Sequence, residues 1–210
     1  KTSACAIPLV SRIDTQDRAI QVLILVPTRE LALQYVQEVD DVSKHSDVVP
    51  FAVFGGFDMD IQKAKLKHGV HILVATPGRL IDLIWNHRLD LAQVKSVVLD
   101  EADEMLKMGF IEDVDFIMSC MMQEHQTLLF SATMPKEVER LTQQYLSDPE
   151  RIELNREQRA PQSLEHYFQH VGRQRIDALV DYIEGNDVQQ GIIFCNSRDI
   201  ASELLNSLQK

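Results

Sequence analysis

The sequence predicts an α/β fold in which helices cover both faces of a parallel sheet. Short apolar, β-branched runs alternate along the chain with amphipathic stretches of helical periodicity, a pattern typical of right-handed βαβ units. Runs such as Val97-Val98-Leu99 carry no polar residue on either face, as expected of a parallel strand that is buried on both sides. The same alternation restarts at residue 164, which indicates that a second domain begins there.

Strands are predicted before residue 155 wherever a short apolar or β-branched run occurs. These runs are Val22–Val26, Val49–Phe54, Ile72–Ala75, Ser96–Leu99, Thr127–Phe130 and Arg151–Leu154. Helices are predicted between them because apolar residues recur on one face. In the helix predicted over Arg29–Ser43, that face carries Leu31, Ala32, Tyr35, Val36, Val39 and Val42. The other helical patterns are Gly78–His87, Ile111–Met122 and Lys136–Leu146.

The composition of residues 155–163 separates two domains. This stretch is polar, contains Pro161 and has no periodicity, so it is interpreted as a linker between a domain over 1–154 and the start of a second domain over 164–210. In the second domain the predicted elements are a strand Leu164–Val171, a helix Arg173–Glu184, a strand Gly191–Cys195 and a helix Arg198–Leu208.

The overall composition is that of a soluble globular protein, with 45% hydrophobic and 25% charged residues. No run of eighteen apolar residues predicts a membrane span. The three cysteines, Cys5, Cys120 and Cys195, show no metal-binding spacing, and a reducing, cytoplasmic setting is expected. A net charge of −11 argues against a broad basic surface for nucleic acid, although local phosphate contacts remain open.

An acidic stretch, Asp100-Glu101-Ala102-Asp103, follows the run that ends at Leu99. Ligands of open α/β sheets bind beyond the carboxyl ends of the strands. Asp100 is therefore expected to hold Mg²⁺, mainly through waters, and Glu101 to orient or deprotonate an attacking water. The alternative is that these acids only favour the positive end of a helix.

Three strand ends are followed by residues that favour a helix start or a close backbone approach. The segments are Pro27-Thr28-Arg29, Gly55-Gly56 and Thr76-Pro77-Gly78-Arg79. On one rim of the sheet, helix N-termini and two arginines would form a local anion-binding track on an otherwise acidic protein. Taken singly, each segment is equally compatible with an ordinary turn.

Three further segments carry polar residues at strand or helix ends. Lys1-Thr2 matches the last two residues of a phosphate-binding loop, without its glycines; an exposed terminal lysine is the alternative. Ser131 and Thr133 could hydrogen-bond Asp103 from the neighbouring strand, or Thr133 could cap a helix. Asn196, or the next residue, would cap the last predicted helix and could face a phosphate.

These segments, in this order, resemble the motifs of the DEAD-box ATP-dependent RNA helicases of superfamily two. The resemblance covers nearly all of the chain and includes Met108-Gly109-Phe110 after the acidic stretch. Among the family, the combination of Glu104-Met105-Leu106, Phe110–Val114 and Thr133-Met134-Pro135 looks most like bacterial cold-shock and ribosome-assembly members.

The resemblance implies two RecA-like domains that couple ATP binding and hydrolysis to RNA binding and local duplex unwinding. It implies that Lys1 and Thr2 bind ATP phosphates and Mg²⁺ together with Asp100 and Glu101, and that Asp103 couples hydrolysis to unwinding through Ser131 and Thr133. The RNA path implied by the resemblance is Pro27, Thr28, Arg29, Gly55, Gly56, Thr76, Pro77, Gly78, Arg79 and Asn196. A DNA-directed helicase and a non-enzymatic RNA-binding scaffold are the alternatives.

The 210-residue chain is expected to be inactive as an ATPase, because the family's upstream adenine-reading segment, phosphate-loop glycines and later second-domain motifs are not in the sequence. An arginine finger alone contributes roughly 10³–10⁵ in rate in related NTPases. Phosphate release from ATP by the purified chain, with and without RNA, checks this expectation. RNA-stimulated turnover would contradict it.

Overall fold

Parallel strands form one sheet at the centre of residues 1–150. In the computed structural model, which describes residues 1–154, 164–165, 167–172 and 174–208, the strands are β1 (Val22–Leu25), β2 (Pro50–Val53), β3 (Ile72–Ala75), β4 (Ser96–Leu99) and β5 (Gln126–Leu129). Their order across the sheet is β2-β3-β1-β4-β5, and every neighbouring pair is parallel. The predicted α/β fold with a parallel sheet is confirmed.

The strand register aligns the carboxyl ends of the three central strands. Leu25 of β1 is paired with Ala75 of β3 and with Leu99 of β4. Every residue of these three strands is buried, which explains why their sequences are apolar without alternation. Because the three strands end in register, the residues that follow them lie along one edge of the sheet, here called the carboxyl edge.

Helices cover both faces of the sheet. Since successive strand residues point to opposite sides, neighbouring residues of one strand belong to different buried clusters. Helices α1 (Thr2–Val10) and α2 (Arg29–Val42) contribute to the buried cluster that contains Ile24 of β1. Leu25, the next residue of β1, belongs to the cluster on the other face. The helices that contribute to that second cluster are α3 (Met59–Lys67), α4 (Pro77–His87), α5 (Ala102–Lys107), α6 (Ile111–Ser119) and α7 (Lys136–Tyr145).

Helix α3 was not predicted from the sequence. Its only buried residue is Gln62, and its apolar contacts with the core, Met59 and Leu66, are only partly buried, so the helical period is weak in the sequence. The helix begins instead at a polar cap, where the Asp58 carboxylate accepts hydrogen bonds from the Asp60 and Ile61 N–H groups at 2.8 and 3.0 Å.

The chain divides into two compact units, Lys1–Glu150 and Arg151–Lys210. In the second unit the structure describes two helices, α8 (Arg175–Gly185) and α9 (Arg198–Leu208). The predicted linker, residues 155–163, lies outside the described residues. The domain boundaries inferred from composition therefore stay a prediction.

Three strands predicted after residue 150 are wrong for the residues that the structure describes. Arg151–Leu154, Leu164–Val171 and Gly191–Cys195 have no strand in their described residues. A strand satisfies its backbone groups only beside a hydrogen-bonded neighbour, and these segments have none in the described part of the chain. Phe194, for example, is 91% exposed, whereas a helix such as α9 closes its hydrogen bonds locally.

Two further properties of the described residues bear on the expectations from composition. None of their helices is long and apolar enough to cross a membrane. Cys5, Cys120 and Cys195 are all free thiols, and burial raises the pKa of Cys5 to about 11.

Candidate functional site

The acidic stretch and the first lysine of the chain meet at the carboxyl edge. Asp100 follows β4 directly, and Lys1 immediately precedes α1. The Lys1 Nζ atom lies 3.3 Å from Asp100 Oδ1 and 3.0 Å from Glu101 Oε1. The structure thus brings together three of the residues that the sequence indicated for phosphate and magnesium chemistry.

Asp100 is a buried carboxylate whose two oxygens have separate partners. The residue is 1% exposed. Its Oδ2 atom accepts a hydrogen bond of 2.6 Å from the Tyr35 hydroxyl, while Oδ1 accepts from the Glu101 N–H at 2.8 Å and from Lys1. Such donors are required because burying an unpaired carboxylate strongly disfavours its charged form.

Tyr35 is a permanent hydrogen-bond donor to Asp100. The residue is fully buried, and its pKa is raised far above the usual range, first by burial and then by the hydrogen bond to the Asp100 carboxylate. The hydroxyl therefore keeps its proton at neutral pH. The sequence placed Tyr35 on an apolar helix face and revealed nothing of this polar contact.

Lys1 remains charged beside the two acids. Partial burial acts to lower the pKa of Lys1, but the hydrogen bonds and negative charges of Glu101 and Asp100 outweigh it, and the pKa is raised. The Lys1 side chain is 49% exposed, so it is accessible to a ligand. Thr2, the first residue of α1, stands next to it in the chain.

The backbone of Glu101 is in the left-handed region, with φ of 56° and ψ of 47°. For a residue with a side chain this conformation costs about 1–2 kcal/mol, and such strain is concentrated at functional sites. Two contacts hold it: the Glu101 N–H bonds Asp100 Oδ1, and the next N–H, of Ala102, bonds the Phe130 carbonyl at 3.1 Å. The Glu101 side chain is consequently turned outward and is 40% exposed.

The oxygen ligands and the lysine at this edge fit a nucleoside triphosphate with Mg²⁺. Asp100, Glu101 and the Thr2 hydroxyl offer hard oxygen ligands, and Lys1 supplies a cation for phosphate. Within the described ranges, no group of three or more His, Cys, Asp or Glu side chains could hold a metal ion. That is compatible with Mg²⁺, which is usually held by one or two carboxylates together with waters and substrate phosphates.

Asp103 forms a second, separate cluster with the loop that follows β5. Its Oδ2 atom accepts hydrogen bonds from the Thr133 hydroxyl at 2.8 Å and the Thr133 N–H at 3.2 Å. In return the Asp103 N–H donates to Ser131 Oγ at 3.2 Å, and the Ser131 hydroxyl donates to the Thr133 carbonyl at 2.6 Å. The structure brings together the three residues singled out for coupling, while their role stays a prediction.

The pKa of Asp103 is lowered by this cluster. Burial alone would raise it, since Asp103 is 4% exposed, but the hydrogen bonds from Thr133 and from the Ala132 N–H outweigh burial. A carboxylate that accepts several donors is held in its charged form. Asp103 is thus ionised at neutral pH.

The first of the three strand-end segments forms a capped helix start. Thr28 precedes α2, and its hydroxyl accepts a hydrogen bond from the Leu31 N–H at 3.3 Å. The Arg29 guanidinium lies over the ring of Phe54, 5.0 Å from its centroid, a cation–π geometry. This contact connects the start of α2 to the residue that follows β2. Pro27 separates β1 from this cap.

Gly55 and Gly56 lie in an open turn after β2. Gly56 has a φ of +77°, which other residues rarely adopt, and a Cβ added at either glycine would meet no atom within 4 Å. The space above both glycines is therefore free for a ligand to approach the backbone.

Gln62 supports this glycine turn through hydrogen bonds, a role that the sequence did not indicate. Its side chain is fully buried. Its Oε1 accepts from the Phe54 N–H at 3.2 Å, and its Nε2 donates to the Phe57 carbonyl at 3.1 Å and the Asp58 carbonyl at 3.2 Å. These contacts bracket the two glycines on both sides. A lone Gln in a polar segment offers no sequence signal for this role.

The third segment starts α4 with the expected residues. Thr76 occupies the N-cap position, although its side chain makes no capping hydrogen bond. Pro77 sets the first helical φ. Arg79 Nη1, one residue beyond Gly78, donates to the Phe57 carbonyl at 3.1 Å. The three segments are therefore tied together through the glycine turn.

Asn196 lies in the second unit, immediately before Ser197 and α9. The capping role falls to Ser197, whose Oγ accepts from the Ile200 N–H at 3.3 Å. The role implied for Asn196 in RNA binding stays a prediction.

Comparisons with known proteins agree on one family. A family model described as DEAD/DEAH box helicase matches residues 1–141. The ATP-dependent RNA helicase DeaD of Escherichia coli (strain K12) is 40% identical over 212 residues, covering 100% of this chain and 34% of the relative. The RNA helicase CrhR of Synechocystis sp. is 42% identical, covering 100% and 43%. A crystal structure of the yeast DEAD-box splicing factor Prp28 matches with a TM-score of 0.65 and 35% identity, covering 70% of this chain and 37% of that one. The chain therefore spans less than half the length of each relative.

The Gln62→Leu variant is expected to lose about 1–3 kcal/mol of unfolding free energy, because it leaves buried backbone groups around the glycine turn without partners. Urea unfolding, followed by fluorescence of the single tryptophan, Trp85 in α4, measures the loss. The matched control is Gln37→Leu, at an exposed residue whose side chain hydrogen-bonds exposed Asp41; it should change stability by less than about 0.5 kcal/mol. Equal effects of the two variants would contradict the bracing role of Gln62.

The Thr133→Val variant is expected to raise the pKa of Asp103, because it removes the hydroxyl donor to Oδ2. A carbon-detected NMR titration of the Asp103 carboxyl measures the change directly. In the wild type the lowered pKa means that Asp103 stabilises the fold above its unfolded value of about 3.9. That stabilisation is lost as the pH falls through the folded pKa.

The difference in unfolding free energy between wild type and Thr133→Val should accordingly be constant near neutral pH and shrink below about pH 4. Thr142→Val is the control, because the Thr142 hydroxyl donates to the Glu139 carbonyl of its own helix, α7. An Asp103 pKa that is the same in wild type and Thr133→Val would refute the assignment.

Proposed function

The chain belongs to the DEAD/DEAH box helicase family, and from that membership we propose that the full-length protein is an ATP-dependent RNA helicase. The observation that carries the proposal is the acidic pair Asp100-Glu101 at the carboxyl edge, with the Lys1 ammonium 3.3 and 3.0 Å from its carboxylates. Two adjacent carboxylates with a lysine beside them favour an NTPase over a non-enzymatic scaffold that has only the fold.

ATP is the proposed substrate, and Mg²⁺ its proposed partner at this edge. Lys1 would release the carboxylates and contact the phosphates, and Thr2 and Asp100 would hold the metal ion, Asp100 mainly through waters. When bound, Mg²⁺ would neutralise part of the negative charge on the phosphates. Glu101, turned outward by its left-handed backbone, would accept a hydrogen bond or a proton from the attacking water.

RNA is the proposed second ligand, and the rim formed by the three strand-end segments supports it. Arg29 and Arg79 engage an aromatic ring and a backbone carbonyl, which leaves their charge available to phosphate. The first-turn amides of α2 and α4 and the open backbone of Gly55-Gly56 add neutral donors. Contacts of this kind position a phosphate backbone without reading its sequence. The relatives DeaD and CrhR are named RNA helicases.

Residues 164–210 are proposed as the start of a second RecA-like domain, joined through residues 155–163, and Asn196 as one of its RNA contacts. The cluster of Asp103 with Ser131 and Thr133 is proposed to couple hydrolysis to strand separation. The free thiols support a cytoplasmic setting for the protein.

The Glu101→Gln variant of the full-length protein is expected to lose ATP hydrolysis by about 10²–10⁴-fold, because the amide cannot accept the proton of the attacking water. ATP and RNA binding should stay within a few fold of wild type. Steady-state phosphate release and fluorescence anisotropy with labelled RNA measure the two properties.

The matched control is Glu104→Gln, which removes a carboxylate of α5 that pairs with Lys107 of the same helix; its turnover should be unchanged. Competition with a DNA strand of the same sequence tests the choice of nucleic acid through the 2′-hydroxyl. Unchanged turnover in Glu101→Gln would remove the assigned role of Glu101. Equal competition by DNA would favour a DNA-directed helicase, and absence of ATPase activity in the full-length wild type would favour a scaffold.

A further inference from the structure

One hydrogen bond connects the proposed RNA-binding rim to the proposed ATP site. The Tyr35 hydroxyl, on α2, donates to Asp100 Oδ2 at 2.6 Å. Both residues are buried, at 0% and 1% exposure, so water does not compete for this contact. The partners are 65 residues apart in the chain, and the bond joins a helix to the end of a neighbouring strand.

Helix α2 carries both the rim residue Arg29 and the hydrogen-bond donor Tyr35. Its first residue, Arg29, contacts Phe54 beside the glycine turn, and Thr28 caps it. Tyr35 lies six residues later, a rise of about 9 Å along the same helix. The helix packs through the buried residues Ala32, Tyr35 and Val39, so its first two turns should move as one body. A displacement at Arg29 therefore reaches the Tyr35 hydroxyl.

The geometry at Asp100 gives that displacement a chemical consequence. Tyr35 holds Oδ2, while Oδ1 is directed to Lys1 and to the Glu101 N–H. The hydroxyl thus fixes the rotation of the carboxylate and decides which oxygen faces the nucleotide. A shift of the hydroxyl would rotate the carboxylate and change both the metal-facing oxygen and the support of the Glu101 backbone.

We propose that Tyr35 is a positioning residue through which RNA bound at the start of α2 tightens nucleotide binding at Asp100. The inference rests on the proposed function, since it assigns Arg29 to RNA and Asp100 to Mg²⁺ and ATP. The competing explanation is structural: the hydroxyl merely satisfies a buried carboxylate. A structural role predicts lost stability with unchanged coupling, whereas a positioning role predicts lost coupling.

The Tyr35→Phe variant of the full-length protein tests the proposal, because it keeps the ring and removes only the hydroxyl. The measured quantity is the ratio of dissociation constants for a fluorescent, non-hydrolysable ATP analogue with Mg²⁺, in the absence and presence of saturating RNA. We expect this coupling ratio to fall on the order of tenfold, the size of a lost hydrogen bond to a charged group. RNA affinity without nucleotide should stay within about twofold.

The chain offers a matched control in Tyr145→Phe. The Tyr145 hydroxyl also donates to a carboxylate, Asp115 Oδ1 at 2.7 Å, but it lies on α7, and among the described residues its hydrogen bonds are to Asp115 and Gln144. Tyr145→Phe should keep the wild-type coupling ratio. A ratio retained in Tyr35→Phe, or lost equally in both variants, would overturn the proposal.

A measurement on the wild type keeps the proposal testable if Tyr35→Phe does not fold. The ¹³Cζ resonance of Tyr35, which reports its hydroxyl hydrogen bond, should shift when RNA is added without nucleotide, and that of Tyr145 should not. A Tyr35 resonance that ignores bound RNA would contradict the inference. If wild-type protein shows no coupling between RNA and nucleotide, the proposed function itself fails; if coupling exists without Tyr35, only the positioning role fails.

Discussion

A buried carboxylate must be given hydrogen-bond donors, and the arrangement around Asp100 follows from this requirement. The end of β4 places Asp100 at 1% exposure, where an unpaired charge would be prohibitively unfavourable. Three donors from three places in the chain converge on it: the Tyr35 hydroxyl, the Lys1 ammonium and the Glu101 N–H. Helix α2, the residue before α1 and the turn after β4 are therefore joined at one side chain. The same side chain is the proposed metal-facing group, so structural and chemical demands coincide there.

The acidic stretch does not act as one cluster, because its backbone reverses within it. The left-handed conformation of Glu101 separates Asp100, which points to α1 and α2, from Asp103, which points to the loop after β5. Both aspartates accept from several donors, so an amide in either position would direct an NH₂ group at another donor. The four residues thus contact two different parts of the protein: Asp100 bonds Tyr35 of α2 and Lys1, and Asp103 bonds the loop after β5.

The sequence predicted the sheet well and the supporting contacts poorly, for physical reasons. Strands buried on both faces need unbroken apolar runs, which are visible without a structure, and the parallel order aligns their polar ends. Tyr35 was placed correctly on a buried helix face, yet nothing local reveals that its hydroxyl reaches a carboxylate 65 residues away. Gln62 belongs to a helix whose two core-facing apolar residues, Met59 and Leu66, are only partly buried, so its helical pattern was weak. The strands predicted after residue 150 failed because an apolar run becomes a strand only beside a partner strand.

The net charge of −11 is compatible with a phosphate-binding rim because the relevant charges are local. At an ionic strength of 0.15 M, charges on the surface are screened beyond about 8 Å, so distant acids contribute little at the rim. In the part of the chain that the structure describes, Arg29 and Arg79 are held by the ring of Phe54 and the carbonyl of Phe57. Neither partner carries a charge, so both guanidinium groups are oriented without being neutralised. An acidic protein can thereby keep two positioned cations for a polyanion, and its excess of carboxylates would disfavour phosphate contacts elsewhere on its surface.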